Sequence, residues 1–112
     1  MRSRSEEDIK MIKIIENNDF SAVKASEYAV VDFNATWCGP CRMLAPVLEE
    51  LAEELDEVEF FACDVDENGD LAGENGIQSI PAVGIYKNGQ LVDMAVGFRP
   101  KDAMKAFILS KK

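Results

Sequence analysis

Histidine is absent from all 112 residues. That removes the side chain most often used as a general base near neutrality and one of the commonest metal ligands. Cysteine is sparse: Cys38, Cys41 and Cys63 are the whole set. An odd count this thin does not make the disulfide framework of a small secreted domain, and it points instead to a reducing compartment, the cytoplasm. Basic residues are outnumbered, 12 Lys and Arg against 21 Asp and Glu, for a formal charge of −9. Phosphate binding needs a basic face that this composition barely supplies, which argues against a nucleic-acid partner. Long apolar runs are also missing, since nothing approaches the ~20 residues needed to span a bilayer, so no membrane is expected. The opening MRSRSEEDIK has two arginines but no apolar segment of a secretory signal. A mature chain whose leader had been removed would read the same way. Residues 1–9 are read as a polar lead-in, with Ser5 and Asp8 at capping-box spacing, and residues 10–112 as a single domain.

With 47% apolar and 29% charged residues, the domain has the balance of a soluble globular protein. It is long enough to bury one ordinary core without covalent staples. MIKIIE (11–16) is a short β-branched run ending at Asn-Asn-Asp, which predicts a strand and a turn. Asp19 is placed to cap a helix over about 20–26. YAVVDFNA (28–35) and VEFFACDV (58–65) are nearly continuous in apolar residues, as strands covered on both faces are. Between them Leu44, Val47, Leu48, Leu51 and Leu55 recur at helical spacing, with Glu49, Glu50, Glu53 and Glu54 on the other face. Pro46 falls inside that helix and predicts a kink rather than an end, because the apolar period continues past it. A short glycine-loosened helix fits 68–76. PAVGIY (81–86) and LVDMAV (91–96) flank Asn88-Gly89, the strongest short hairpin signal. The tail predicts a closing helix with Met104, Phe107 and Ile108 on one face, and Lys111 and Lys112 near its C-terminal dipole. Alternating strands and helices followed by a hairpin predict a three-layer α/β sandwich around one mixed sheet.

Two of the three cysteines lie in ATWCGPCRML (35–44). A structural zinc site needs four N or S ligands, usually as two pairs. With no histidine and one further cysteine, the second pair is missing unless two chains share the metal. A static disulfide closing so short a loop would remove little entropy from the unfolded chain. A redox role accounts for position as well as spacing. Cys38 follows a buried strand and opens the long helix, where free backbone N–H groups and the helix dipole favour a thiolate. Cys41 lies one turn in, within reach of a mixed disulfide formed on Cys38. Gly39 permits the tight turn, and Pro40 at an early helical position gives up no donor that was in use.

Other residues stand out more quietly. Asp32 interrupts an apolar run between Val31 and Phe33; burial without a partner raises a carboxyl pKa, as a base working near neutrality requires. Pro81 reads as a strand-entry proline on a sheet edge. Trp37, beside Cys38, is placed to shape the surface around that sulfur. Cys63 reads as a small buried hydrophobe. DVDENGDLAGEN (64–75) mimics the start of a calcium loop, but its twelfth residue is Asn75 and not a bidentate glutamate, so calcium is rejected.

WCGPC after VVDFNAT, with SIPAVGIYKNG about forty residues later, resembles the thioredoxin family, and the likeness runs from about residue 11 to the C-terminus. The resemblance implies the thioredoxin fold, an α/β/α sandwich on a five-stranded mixed sheet of order 1-3-2-4-5 with four helices. It implies a thiol–disulfide oxidoreductase that reduces protein disulfides, Cys38 attacking and Cys41 resolving, with Asp32 accepting the proton of Cys41. It further implies a cis Ile80–Pro81 bond facing the dithiol, beside which a substrate segment pairs as an added strand. Trp37, Ile80, Pro81, Val96 and Gly97 would form the substrate surface, with Phe98 an exposed aromatic at its margin. No cofactor is bound in such proteins. Electrons would come from NADPH through a thioredoxin reductase, the partners would be that reductase and disulfide-containing targets, and the chain would be a monomer. Gly-Pro between the cysteines is the pair of the reducing members; an oxidase or isomerase on the same fold and a redox-silent binding subunit are the competing readings. Two positions depart from the family. Asn34 stands where many members have tryptophan, and Ala62 where many have a lysine that would be a charge partner for Asp32.

Overall fold

A computed structural model describes residues 12–112. The lead-in, its Ser5–Asp8 capping box and the first residue of the 11–16 run lie outside the described residues. Strand β1 spans Ile12–Ile14 and helix α1 Ser21–Ala25, followed by β2 (Tyr28–Asn34), α2 (Gly39–Glu54) and β3 (Glu59–Asp64). Helix α3 (Gly69–Glu74), strands β4 (Ala82–Lys87) and β5 (Gln90–Val96) and helix α4 (Lys101–Leu109) complete the chain. β1 is shorter than its apolar run, although Ile15 still donates its N–H to Ala62 at 2.9 Å. α1 is also shorter than predicted. Phe20 rather than Asp19 is its N-cap, and the Asp19 carboxylate instead accepts the Ser21 N–H at 3.0 Å.

The five strands form one sheet in the order β1-β3-β2-β4-β5. β2 lies at its centre, parallel to β3 and antiparallel to β4, with six of its seven residues buried. That position explains its continuous apolar run. Asn88 and Gly89 turn the β4–β5 hairpin with φ of 52° and 84°, the left-handed pair that a type I′ turn needs. The ladder between these strands slips at Ile85/Tyr86, a bulge that nothing in the sequence announces.

Side chains alternate across a strand, so each strand feeds two cores. Tyr28 and Val30 of β2, Phe60 of β3 and Ile85 of β4 pack with Leu44, Leu48 and Leu51 of α2 and Met104 and Ile108 of α4. Val31, Phe33, Phe61 and Cys63 pack on the opposite face with Val23 of α1 and Leu71 of α3. Each large apolar side chain buried this way contributes roughly 1.5–3 kcal/mol. The three layers and the strand order are those expected, with four helices among the described residues. α2 runs unbroken through Pro46 to Glu54, because its apolar stripe remains anchored on the sheet beyond the proline.

Candidate active site

Where β2 gives way to α2, the chain must turn from extended to helical within a few residues. Cys38 makes that turn as the N-cap of α2, with φ −89° and ψ 112°. Its sulfur accepts the backbone N–H of Cys41 at 3.2 Å, so one of the helix's unpaired donors points at it. Such a donor, together with the helix dipole, stabilises negative charge on the sulfur once the pair is reduced. Cys38 and Cys41 are joined as a disulfide with Cα atoms 5.3 Å apart. Both are buried, in a small cluster with Ala35, against which Val65 and Ile80 pack. Gly39 is half-buried and Pro40 exposed at the first turn.

Asp32 sits two residues beyond Val30, so its carboxyl lies on the face of the sheet that α2 covers, toward the end where α2 begins. It is 5% exposed. Its Oδ2 accepts a hydrogen bond from Asn34 Nδ2 at 3.2 Å, while Oδ1 is buried with no partner. Burial pushes this carboxyl up to about 6, and the Asn34 hydrogen bond opposes the rise. In the ladder Asp32 pairs with Ala62 on one side and Val83 on the other. Position 62 thus presents a methyl group, and no cation, opposite Asp32.

Trp37 is 67% exposed, and its indole N–H donates to Asp66 Oδ2 at 2.8 Å. Asp66 escaped the sequence reading because its segment looked like a degenerate calcium loop. In the fold Asp64 Oδ1 accepts the N–H of Asp66 at 2.8 Å and of Glu67 at 3.3 Å, closing the turn on itself. Asn68 points inward, fully buried, and donates to Ile15 and Asp64 carbonyls. No group of three or more His, Cys, Asp or Glu among the described residues is placed to hold a metal.

The Ile80–Pro81 bond is cis, and Ile80 packs against the cluster formed by Ala35, Cys38 and Cys41. The Pro81 carbonyl accepts the Gly97 N–H at 2.7 Å, and Val96 pairs with Ala82 in the ladder. These contacts bring the Ile80–Pro81 and Val96–Gly97 segments together. Gly97 has φ 97°, a conformation that side-chain-bearing residues avoid, and a Cβ there would meet nothing within 4 Å. Its backbone angle therefore calls for glycine even where space does not. Val96 (58%) and Phe98 (40%) expose apolar surface.

The family model for thioredoxin matches residues 10–110. The chain belongs to the thioredoxin family. A thioredoxin of Bacillus subtilis strain 168 is 44% identical over 93 residues, 82% of this chain and 89% of the relative. A thioredoxin of Staphylococcus aureus is 47% identical over 94 residues, covering 83% and 89%. Among solved structures, a Plasmodium falciparum thioredoxin aligns with a TM-score of 0.83 at 34% identity, over 90% of this chain and all of the other. A Malassezia sympodialis thioredoxin aligns at 0.80, with 37% identity over 88% of this chain and 89% of the other. With the cysteine pair closed at the start of α2, this thioredoxin-family chain is a protein thiol–disulfide oxidoreductase working through the Cys38/Cys41 dithiol–disulfide cycle. Its redox chemistry resides in its own two sulfurs and serves disulfide-containing proteins.

Proposed function

We propose that the chain works in the reducing direction in the cytoplasm, as a monomer, recharged by a thioredoxin reductase that draws on NADPH. The observation that carries the mechanism is the Cys38 sulfur capping α2 on the Cys41 N–H. After reduction that sulfur is the better-stabilised thiolate. It attacks one sulfur of a target disulfide, the target's S–S bond breaks, and a Cys38–target mixed disulfide forms while the departing target sulfur takes up a proton. Asp32 then accepts the proton of Cys41. The Cys41 thiolate attacks Cys38 Sγ, closing the Cys38–Cys41 bond and releasing the second target sulfur, which is protonated in turn. Two electrons pass from protein to target.

Trp37, Ile80, Pro81, Val96 and Gly97 act as the target-binding surface in this reading, with Gly39 and Pro40 holding the turn that separates the sulfurs. Exposed apolar side chains at Trp37 and Val96, and the half-buried Ile80 against the cluster that holds the cysteines, support it. The Pro81 carbonyl is engaged by Gly97, so a target strand would have to pair with other backbone groups of these segments.

Reduction of insulin disulfides tests the proposal. Cys38→Ser is expected to abolish it, and Cys41→Ser to accumulate mixed disulfides visible on non-reducing gels. Full activity in Cys38→Ser would refute the mechanism. Equilibration with glutathione buffers decides direction: a potential on the oxidising side of the glutathione pair would make the chain an oxidase or isomerase instead.

A further inference from the structure

The residue that departs from the family on β2 is also the residue that touches Asp32. In a strand, positions two apart project from the same face, so Asn34 stands beside Asp32 at the end of β2. A side-chain amide carries two N–H donors. In Asn34 that nitrogen reaches the Asp32 main-chain carbonyl at 3.1 Å and the Asp32 carboxylate Oδ2 at 3.2 Å. This double contact fixes the amide against the strand, and the amide in turn holds one carboxylate oxygen. The other, Oδ1, is the buried side-chain N or O atom without a hydrogen-bond partner among the described residues. A buried oxygen that no protein group satisfies is open to a proton donor, and Asp32 lies on the face of the sheet that α2 covers, toward the end where Cys38 and Cys41 open that helix.

We infer that Asn34 is a positioning residue for the resolution step: its amide pins Oδ2 of Asp32 and leaves Oδ1 as the acceptor for the Cys41 proton. The inference rests on the reading of Asp32 as base. The proton moves from Cys41 Sγ to Asp32 Oδ1, after which the thiolate displaces the target sulfur from Cys38 as described above. The groups around Asp32 are few. The end of β2 that carries Asp32 is the end where Cys38 and Cys41 open α2, and β3 brings Ala62 directly opposite, with Asp64 two residues on and Cys63 turned to the other core. From β4 comes Val83, which is apolar. Asp64 accepts two backbone N–H groups of its own turn. Against this background the Asn34 amide is the feature that favours the ionised carboxylate, opposing desolvation. Members of the family with an indole or other side chain at this position have no such amide.

The test combines two readouts on Asn34→Ala, Asn34→Ser and Asp32→Asn. One is the Asp32 carboxyl-carbon titration by NMR, and the other is the pH profile of mixed-disulfide resolution in single-turnover stopped flow. Asn34→Ala is expected to raise the Asp32 midpoint by about one unit and slow resolution about tenfold on the acid limb, with little change at alkaline pH. Asn34→Ser, which keeps a donor, should shift both less. A merely structural role would lower stability without moving the limb. An unmoved titration in Asn34→Ala, or equal shifts in the alanine and serine variants, overturns the inference. Asp32→Asn separates the two levels. If it abolishes the limb while Asn34→Ala leaves it in place, the inference on Asn34 alone fails. If the limb survives Asp32→Asn, the base reading fails and takes this one with it.

Discussion

Neutralising Asp32 should stabilise the protein, and by an amount that depends on pH. The carboxyl is 5% exposed, with one oxygen unpartnered, and burial lifts it from an ordinary 3.8 to about 6. Below about pH 3 both folded and unfolded chains carry it protonated, so it costs nothing there. As pH rises, the unfolded chain ionises first and gains from doing so, while the folded chain resists until about 6. Stability is therefore lost progressively across that window and stays lost above it. A difference of about two units at about 1.4 kcal/mol each makes the penalty about 3 kcal/mol at neutral and alkaline pH. In an Asp32→Asn variant the penalty disappears. For a domain of this size, denaturation of the oxidised protein at about pH 8 should show a gain of about 3 kcal/mol, or about 10 °C in Tm, relative to the unmodified chain. At about pH 4 the gain should shrink to about 0.5 kcal/mol, apart from a constant offset for the new amide's own hydrogen bonding. The comparison between the two pH values isolates the ionisation, because every other titrating group is common to both proteins. A stability difference that stays flat across the range would refute the assignment of a raised carboxyl, whatever its sign.

Two more expectations follow from neighbouring positions. Ala62→Lys puts an ammonium opposite Asp32 in the β2–β3 ladder, and should lower the Asp32 titration by roughly 1–3 units; an unchanged carboxyl-carbon midpoint would show that the two positions do not communicate. Gly97→Ala forces a side-chain-bearing residue to φ 97°, and should cost roughly 1–3 kcal/mol in denaturant titrations and raise the KM for insulin; wild-type stability would mean that the turn relaxes at no cost.

The dithiol was legible in the sequence because its chemistry is local: nucleophile, resolving thiol, glycine and proline all fall within one turn. Asp32 was legible for a different reason, as a charge where the hydrophobic pattern of β2 demanded an apolar residue. Asn34 drew notice as a departure, but its hydrogen bond did not. The period-two rule that places it beside Asp32 was available, whereas the side-chain orientation that aims the amide at Oδ2 appears only in three dimensions. Which distant segments meet was reached only through the family resemblance, which groups Ile80, Pro81, Val96 and Gly97, and the individual contacts between them were not. Trp37 meets Asp66, and Gly97 meets Pro81, through loops that only the assembled sheet brings together. Helix ends suffered from near-equivalent caps, with Asp19 bonding Ser21 without serving as the N-cap of α1. The bulge at Ile85/Tyr86 has no residue signature of its own.

Cys63 makes the cysteine count odd, and the central sheet decides what that oddness means. Its side chain is fully buried in the layer beneath α1 and α3, on the reverse of the wall that carries Asp32. Burial, with Asp64 and Asp32 nearby, pushes its thiol up to about 11. The sheet thus acts as an insulator between two populations of sulfur, one that exchanges partners and one that is chemically mute. Oxidising stress that turns the reactive pair over many times should leave the third thiol untouched, and the native protein should not cross-link to its own copies through it. A three-cysteine chain behaves, while folded, as a two-cysteine reagent.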